Sequence, residues 1–466
     1  MNALDAKRKK IIDKLVEFQS MSDEQFNKQM KQDDLIKSID IYNFKANASL
    51  FYQHQPFFYD NSSCFWFYDK TKYRYYMIDE VDVMNKIDDF FKFGNNTLVP
   101  AVRNSYLEAL KRFGRQKIPK SPSINWIQFN DKVIDIITSD EFSASAEYFF
   151  TNPIPWDLGS EVDTPVMDSI FKDWVGSEWT ANLYELLAFS MLPSYQISRM
   201  FLLVGEGSNG KSCYLRLLRR FVGKDNCTAT DLKMILTSRF EVTKLYKKLV
   251  CEIGETDIDD LGQSAVIKKL TSGDDLVRYE IKGKNPFEDY NYAKLIISTN
   301  NIPECSDKSW GLYRRMLIIL FPNEFNEGFD PVDLIPDVEY RNLCLKSIRI
   351  ARDLLIKKEF SNEGSKKQRI DRFDEISNPL IKFLNEMIVE DENGFIFKHE
   401  FKKQLSDWCY ERKIRQFSDT ALGKKMKQMY KDGKQKAGWY TSDGSQPYLH
   451  AWFGLRWKED KKYANK

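Results

Sequence analysis

Only three histidines occur in the 466 residues, His54, His399 and His450, and they stand far apart. A zinc site needs several nitrogen or sulfur ligands brought together, so this scarcity argues against one. The seven cysteines, at 64, 213, 227, 251, 305, 344 and 409, include no C-x-x-C pair. Isolated thiols in apolar contexts suit a reducing compartment rather than a disulfide framework. There is no run of 18 apolar residues, and the first ten residues lack the apolar centre of a signal peptide. These absences predict a soluble, cytoplasmic chain. An excess of charge is lacking too: 70 basic against 68 acidic side chains give a net +2. Overall charge therefore neither supports nor excludes a nucleic-acid partner, and only local patches bear on it. With 42% hydrophobic and 14% aromatic residues the chain is globular, and its length allows several cores.

What is present centres on residues 198 to 321. Met200 to Val204 is an apolar run that reads as a short buried strand. It breaks into Gly205, Glu206, Gly207, Ser208, Asn209, Gly210, Lys211 and Ser212, and a helix follows from Cys213. This loop fits G-x-x-x-x-G-K-[ST], the P-loop. Its glycines let backbone N–H groups curl around phosphate oxygens, and the helix N-terminus adds its positive end. In that reading Lys211 reaches the terminal phosphates of ATP and Ser212 holds Mg²⁺.

Two further apolar runs follow. Lys248 to Asp257 ends in acids, as expected of a strand that presents a carboxylate beside Mg²⁺ and the attacking water. Lys294 to Asn300 ends in an amide able to touch the γ-phosphate or to orient that water. Arg314 and Arg315 then precede the strand 316–321, where a tandem arginine can neutralise transition-state charge as an arginine finger does. Each piece alone also reads as a capped strand end or a surface ion pair. Their order after a phosphate loop is what favours nucleotide hydrolysis.

This order, with Lys268 to Asp274 between the acidic strand and the Asn-ended one, resembles the superfamily 3 helicases. The likeness is to the phage and plasmid primase-helicase branch related to poxvirus primase-helicases, including replication initiators of mobile elements. It covers about residues 50 to 460 of the chain and is most specific in the P-loop region. The resemblance implies an α/β, AAA+ ATPase core, ATP and Mg²⁺ as cofactors, DNA as partner, and a ring, expected to be a hexamer. Many relatives carry paired acids where Glu255 is here followed by Thr256. Glu255 is then the preferred water-polarising and metal-side carboxylate, with Glu252 and Asp257 behind it.

Upstream, residues 5 to 40 carry apolar side chains at helical spacing and predict two short helices. Residues 50 to 78 alternate aromatics around turns, the signal of a small antiparallel sheet. With Lys70, Lys72 and Arg74 among them these rings can stack bases, but an ordinary aromatic core is the simpler reading. Residues 79 to 113 read as helical, 111 to 120 as a basic linker, 126 to 137 as paired strands, and 171 to 191 as a helix ahead of the ATPase core. Residues 275 to 292 signal a β-hairpin with Lys282 and Lys284 near its tip. The family resemblance assigns such a hairpin to the central channel, gripping the DNA backbone.

The helix expected over 339 to 358 is read as a lid capping the nucleotide, and 362 to 369 as a polar linker. Beyond residue 371, three helices and a hairpin of strands at 435–441 and 448–457 give a winged-helix pattern. Residues 397 to 466 hold 17 basic and 8 acidic side chains, net +9. A basic third helix bearing Lys424 and Lys427 suits a duplex major groove at an origin. The expected domains are 1–124 (α+β), 125–195 (pre-ATPase collar), 196–335 (helicase core), 336–370 (lid and linker) and 371–466 (winged helix). The expected function is a ring-forming, ATP-driven DNA helicase or initiator. The alternatives are an ATP-switched origin-melting protein and a primase-helicase, though no polymerase-like acid pair precedes residue 125. A signalling ATPase would call for C-terminal repeats, which are absent from the sequence.

Overall fold

Alternating aromatics between residues 57 and 78 pleat into three antiparallel strands, β1 (Phe57–Tyr59), β2 (Phe65–Asp69) and β3 (Arg74–Ile78). The computed structural model describes residues 42–91, 99–130, 132–205, 207–254, 264–300, 302, 307, 309–325, 328, 330–377, 379–411, 417–440 and 445–458. The two helices expected before residue 41 lie outside these. The chain divides into two units. One is drawn from residues up to Pro122 with Ala144–Thr151 and Gly283–Phe287; the other from Ser123–Ser143, Asn152–Lys282 and Glu288 onward.

In the first unit both faces of the aromatic sheet are covered. Phe57, Phe65 and Phe67 pack with Phe51 and Phe91 from the helices Phe44–His54 and Glu80–Phe91, and with Tyr106 from Pro100–Arg115. On the other face Phe149 meets Phe58, Trp66 and Tyr75 with ring centroids 5.1, 4.9 and 5.7 Å apart. These rings are core, so they offer no platform for bases. Two boundaries differ from expectation. Phe51 and Tyr52 close a helix instead of opening the sheet, and Lys111 to Arg115 continue a helix instead of forming a linker.

The second unit begins with an antiparallel trio, β4 (Trp126–Gln128), β5 (Lys132–Asp135) and β6 (Glu141–Ser143). The helix Pro165–Ser190 follows, broken at Gly176, whose φ of +77° lies in the left-handed region. Its second half is buried almost all round, which is why its apolar residues show no single stripe.

The central sheet contains β7 (Met200–Val204), β8 (Cys227–Thr230), β9 (Val250–Ile253), β12 (Lys294–Thr299) and β13 (Met316–Leu320) in the order β13-β7-β12-β9-β8. Every pairing in it is parallel. Strands covered on both faces read as apolar runs, as β7 and β13 do. Between β9 and β12 an antiparallel pair, β10 (Leu276–Tyr279) and β11 (Phe287–Tyr290), makes the expected hairpin. The protein is thus a mixed α/β chain built on a parallel five-stranded sheet.

The helix Asp337–Lys357 packs its buried face into the same core as Pro165–Ser190, and Glu339 accepts hydrogen bonds from Val166 and Met167 N–H at 2.9 Å each. It is placed as part of that helical layer. The polar linker expected over 362–369 instead runs into the helix Lys366–Ser377, which begins three residues after a buried Glu363.

The C-terminal module runs helix Pro379–Met387, β14 (Ile388–Phe397), helix Lys398–Glu411, helix Asp419–Met429, β15 (Lys431–Lys436) and β16 (Tyr448–Trp457). Its antiparallel sheet has the order β14-β16-β15 around Phe383, Phe401, Trp408, Met426 and Leu455. The first strand of this sheet was absent from the expected pattern. Glu390 to Gly394 interrupts its alternation, and the pairing register shifts there. The strand expected over 435–441 instead begins at Lys431, where lysines mark a sheet edge rather than a helix end. Residues 441–444, expected to join the hairpin, lie outside the described residues. Among the described residues no helix is long and apolar enough to cross a membrane.

Candidate functional site

The loop with the G-x-x-x-x-G-K-[ST] pattern sits at the carboxyl end of β7, which lies between β13 and β12 and is thus flanked by strands from later in the chain. Open parallel sheets bind ligands at such a switch of strand order, because the flanking connections leave a crevice there. Gly205 has no room for a side chain: a Cβ would come within 2.0 Å of Asn209 Nδ2 and 2.5 Å of the Phe321 carbonyl oxygen. Gly210 takes φ +92° with the Trp174 ring so close that a Cβ would meet it at 2.5 Å. Both glycines of the motif are therefore dictated by backbone course. The helix Lys211–Val222 starts directly after Gly210, so its first N–H groups face the loop.

Lys211 is 7% exposed, and its ammonium meets oxygens from both sides of the loop. It donates to the Gly205 carbonyl at 2.5 Å, to Asn209 Oδ1 at 3.0 Å and to Asn300 Oδ1 at 3.2 Å. Asn300 follows β12, so residues from two strand ends meet at one cation. The expectations for Lys211, Asn209 and Asn300 thus converge in space. Asn209 Nδ2 also donates to the Phe321 carbonyl at 3.3 Å, and Phe325 N–H to the Ser208 carbonyl at 2.7 Å, so the segment after β13 buttresses the loop. Gly207, Ser208 and Ser212 are exposed, and Cys213 is half-buried, its thiol pushed up mainly by burial. The donor set suits a nucleoside triphosphate with Mg²⁺: fitted glycines, a helix N-terminus, one ammonium and one adjacent hydroxyl.

Of the acids, Glu255 and Asp257 lie outside the described residues, as does Glu206. Glu252 is inside β9 and paired to Arg219 Nε at 3.0 Å; burial pushes its carboxyl up. It serves an ion pair with the helix that follows the loop.

The arginines lie elsewhere. β13 pairs with β7 in register from Met316↔Met200 to Leu320↔Val204, so Arg314 and Arg315 precede the strand end opposite to Gly205. Five residues of strand, about 16 Å, separate them from the loop that follows β7. The two also differ from each other. Arg315 is 7% exposed, with Nε on Thr271 Oγ1 at 3.1 Å and NH1 on the Gly311 carbonyl at 2.5 Å. Burial first, then the neighbouring Arg314 charge, pulls its pKa down. Arg314 is exposed. Arg315 is thus tethered by its packing, and Arg314 is the outward-facing member of the pair.

A set of residues missed in the sequence surrounds this end of the sheet. Glu363 binds Arg199 through both carboxylate oxygens and also pairs with Arg369, whose NH1 donates to the Arg314 carbonyl at 3.4 Å. The only sequence signal for it was an arginine immediately before an apolar strand.

At the β10–β11 hairpin Lys282 is exposed, whereas Lys284 is half-buried and donates to Cys64 Sγ at 3.4 Å within the first unit. Lys424 and Lys427 are both exposed on Asp419–Met429, Lys427 lying 3.7 Å from Asp432.

Residues 203–315 match a family described as one of unknown function (DUF5906). Among solved structures, the chain is similar to the apo NrS-1 C-terminal region in two forms. One is 14% identical with a TM-score of 0.47, covering 89% of this chain and 100% of that one. The other is 13% identical with a TM-score of 0.48, covering 89% and 99%.

Proposed function

We propose that this chain is an ATP-hydrolysing DNA helicase or replication initiator with an AAA+ core, working as a ring, with a winged-helix module at its C-terminal end. The observation that carries the reading is the meeting of Lys211, Asn209 and Asn300 at a loop whose glycines are sterically dictated. Lys211 and the helix N-terminus take the phosphates, Ser212 the Mg²⁺, and Asn300 the γ-phosphate or the attacking water. Bound Mg²⁺ supplies charge neutralisation on the phosphate oxygens. Glu255 is the proposed water-polarising carboxylate.

Ring assembly is supported by the distance between loop and arginines along β7 and β13. An exposed Arg314 at the far end of the strand is suited to a neighbouring subunit's loop. The helix–strand–helix–helix–strand–strand order from residue 379 supports the winged helix, with Lys424 and Lys427 on its third helix. Lys282 is the exposed candidate for gripping DNA at the hairpin, and Lys284 is engaged.

The test is ATP hydrolysis with and without single-stranded DNA, run beside displacement of a strand from a fork. DNA-stimulated hydrolysis with strand displacement is expected. Stimulated hydrolysis without displacement would make the protein an origin-melting switch, and absence of hydrolysis would sink the reading altogether.

A further inference from the structure

The β15–β16 ribbon runs on past the packed part of its module, and its register determines what the far end carries. Lys434 is paired with His450 and Lys436 with Tyr448, and directly paired residues in an antiparallel ladder share a face. All four are exposed. The same face begins in the module's core with Trp452, paired with Asp432 and 3% exposed, so exposure belongs to the end of the ribbon and not to one whole face. Just past the strand end, Trp439 and Tyr440 are 54% and 68% exposed, and Tyr448 is 60% exposed. Trp439 is the one exposed tryptophan among the described residues. Lys436 Nζ lies 5.8 Å from the Tyr448 ring centroid.

Three large rings left in water beside two lysines are costly unless something covers them. A hydrophobic protein partner would not call for lysines between the rings. Duplex phosphates would call for the lysines but not for the rings, because paired bases already stack on one another. Unpaired nucleotides call for both, since each base has a π-face to stack and each phosphate a charge to meet. We propose that the exposed end of this ribbon, Lys434, Lys436, Tyr448 and His450 with the adjacent Trp439 and Tyr440, binds single-stranded nucleic acid by stacking unpaired bases. The inference rests on the DNA-acting reading above and deepens it. The C-terminal module then holds two DNA surfaces, a helix for duplex and a ribbon for the strand released from it.

The test uses the full-length chain, a labelled oligothymidylate and a blunt duplex of equal length. In Trp439→Ala and Tyr448→Ala, affinity for the oligothymidylate falls about tenfold for each ring removed, and Trp439→Phe recovers most of the loss. Duplex affinity falls far less. Lys434→Gln with Lys436→Gln lowers the log–log salt slope for the single strand by about 1.4. The rings being exposed, thermal melting stays at the parental temperature. Parental affinity for oligothymidylate in the ring variants overturns the proposal, as does an equal loss on duplex, which would make this a groove contact. A change of oligomeric state without a change in DNA affinity also overturns it, because a second copy would then be the occupant. If the parent binds neither probe, the DNA-acting reading falls with it; if the parent binds and the variants match it, the ribbon proposal falls alone.

Discussion

Glu363 grips Arg199 with both carboxylate oxygens, 2.5 Å from Nε and 2.8 Å from NH2, across 164 residues of chain. The same carboxylate pairs with Arg369 and is 3% exposed, so one buried anion serves two guanidiniums. Planar bidentate geometry is where arginine and carboxylate interact best. Removing the anion leaves two cations facing each other in a poorly solvated place. Glu363→Gln is expected to lower stability by about 3–5 kcal/mol, read as a shift in urea midpoint. Arg199→Met combined with Glu363→Met should cost less than the sum of the two single changes. Additive losses would show that the pair is not coupled.

The phosphate loop gives the second prediction. Lys211 supplies the only ammonium of the loop, and Asn300 reaches it from another strand. Lys211→Ala should reduce ATP turnover by at least about a hundredfold, and Asn300→Ala by a smaller factor. Glu255→Gln should bind nucleotide and fail to hydrolyse it, whereas Glu252→Gln should lose mainly its ion pair with Arg219. Filter binding of labelled ATP beside phosphate release separates these outcomes. Hydrolysis lost in Glu252→Gln and kept in Glu255→Gln would reassign the acid.

The adjacent arginines should fail in different ways. Arg315→Ala strands the Gly311 carbonyl and removes one bond from Thr271, whose hydroxyl keeps its bond to the Ile267 carbonyl, and is expected to cost about 1–3 kcal/mol. Arg314→Ala should keep the parental melting temperature and lose about a thousandfold or more in turnover, the scale of an arginine finger. Mixing Arg314→Ala with Lys211→Ala subunits should restore part of the activity, because an intact loop can then face an intact finger. No recovery at any ratio, with subunit exchange verified by labelled subunits, would place the finger's action within one chain or elsewhere.

How much of this was legible beforehand depended on the range of the interactions. The strand–loop–helix turn could be read because its pattern is written within eight consecutive residues, Gly205 to Ser212. Four of the five sheet strands could be read because burial makes each a short apolar run, whereas β8, Cys-Thr-Ala-Thr, is half-exposed and carries no such run. The choice between Arg314 and Arg315 could not, since one residue of backbone decides which side chain turns inward. Glu363 was hidden for a different reason. It stands in a stretch of Asn, Gly, Ser and Lys that reads as solvated, and its burial comes from partners far away in sequence. β14 escaped because acids at its bulge break the alternation by which strands are recognised.

Lys294 begins β12 and is fully buried, its ammonium donating to the carbonyls of Leu192, Ser194 and Tyr292, the last two at 2.9 Å. The rings of Phe189 and Tyr195 lie 4.9 and 5.6 Å from it. No carboxylate is among these partners, so burial dominates and holds its pKa well below the usual lysine value. The sign of the consequence follows from proton counting. Between the folded pKa and the ordinary value of about 10.4, the unfolded chain binds the proton more readily than the folded one. Stability therefore rises with pH through that window and is lost as pH falls toward the folded value. Lys294→Met keeps the volume and removes this proton, but takes away the two N–H donors that the neutral amine offers its carbonyl neighbours, at about 1–3 kcal/mol each. The variant should be less stable than the parent at every pH in the window, and the gap should widen as pH rises toward the ordinary lysine value. Urea midpoints measured at several alkaline pH values test this; a gap that stays constant would mean that Lys294 titrates alike in both states.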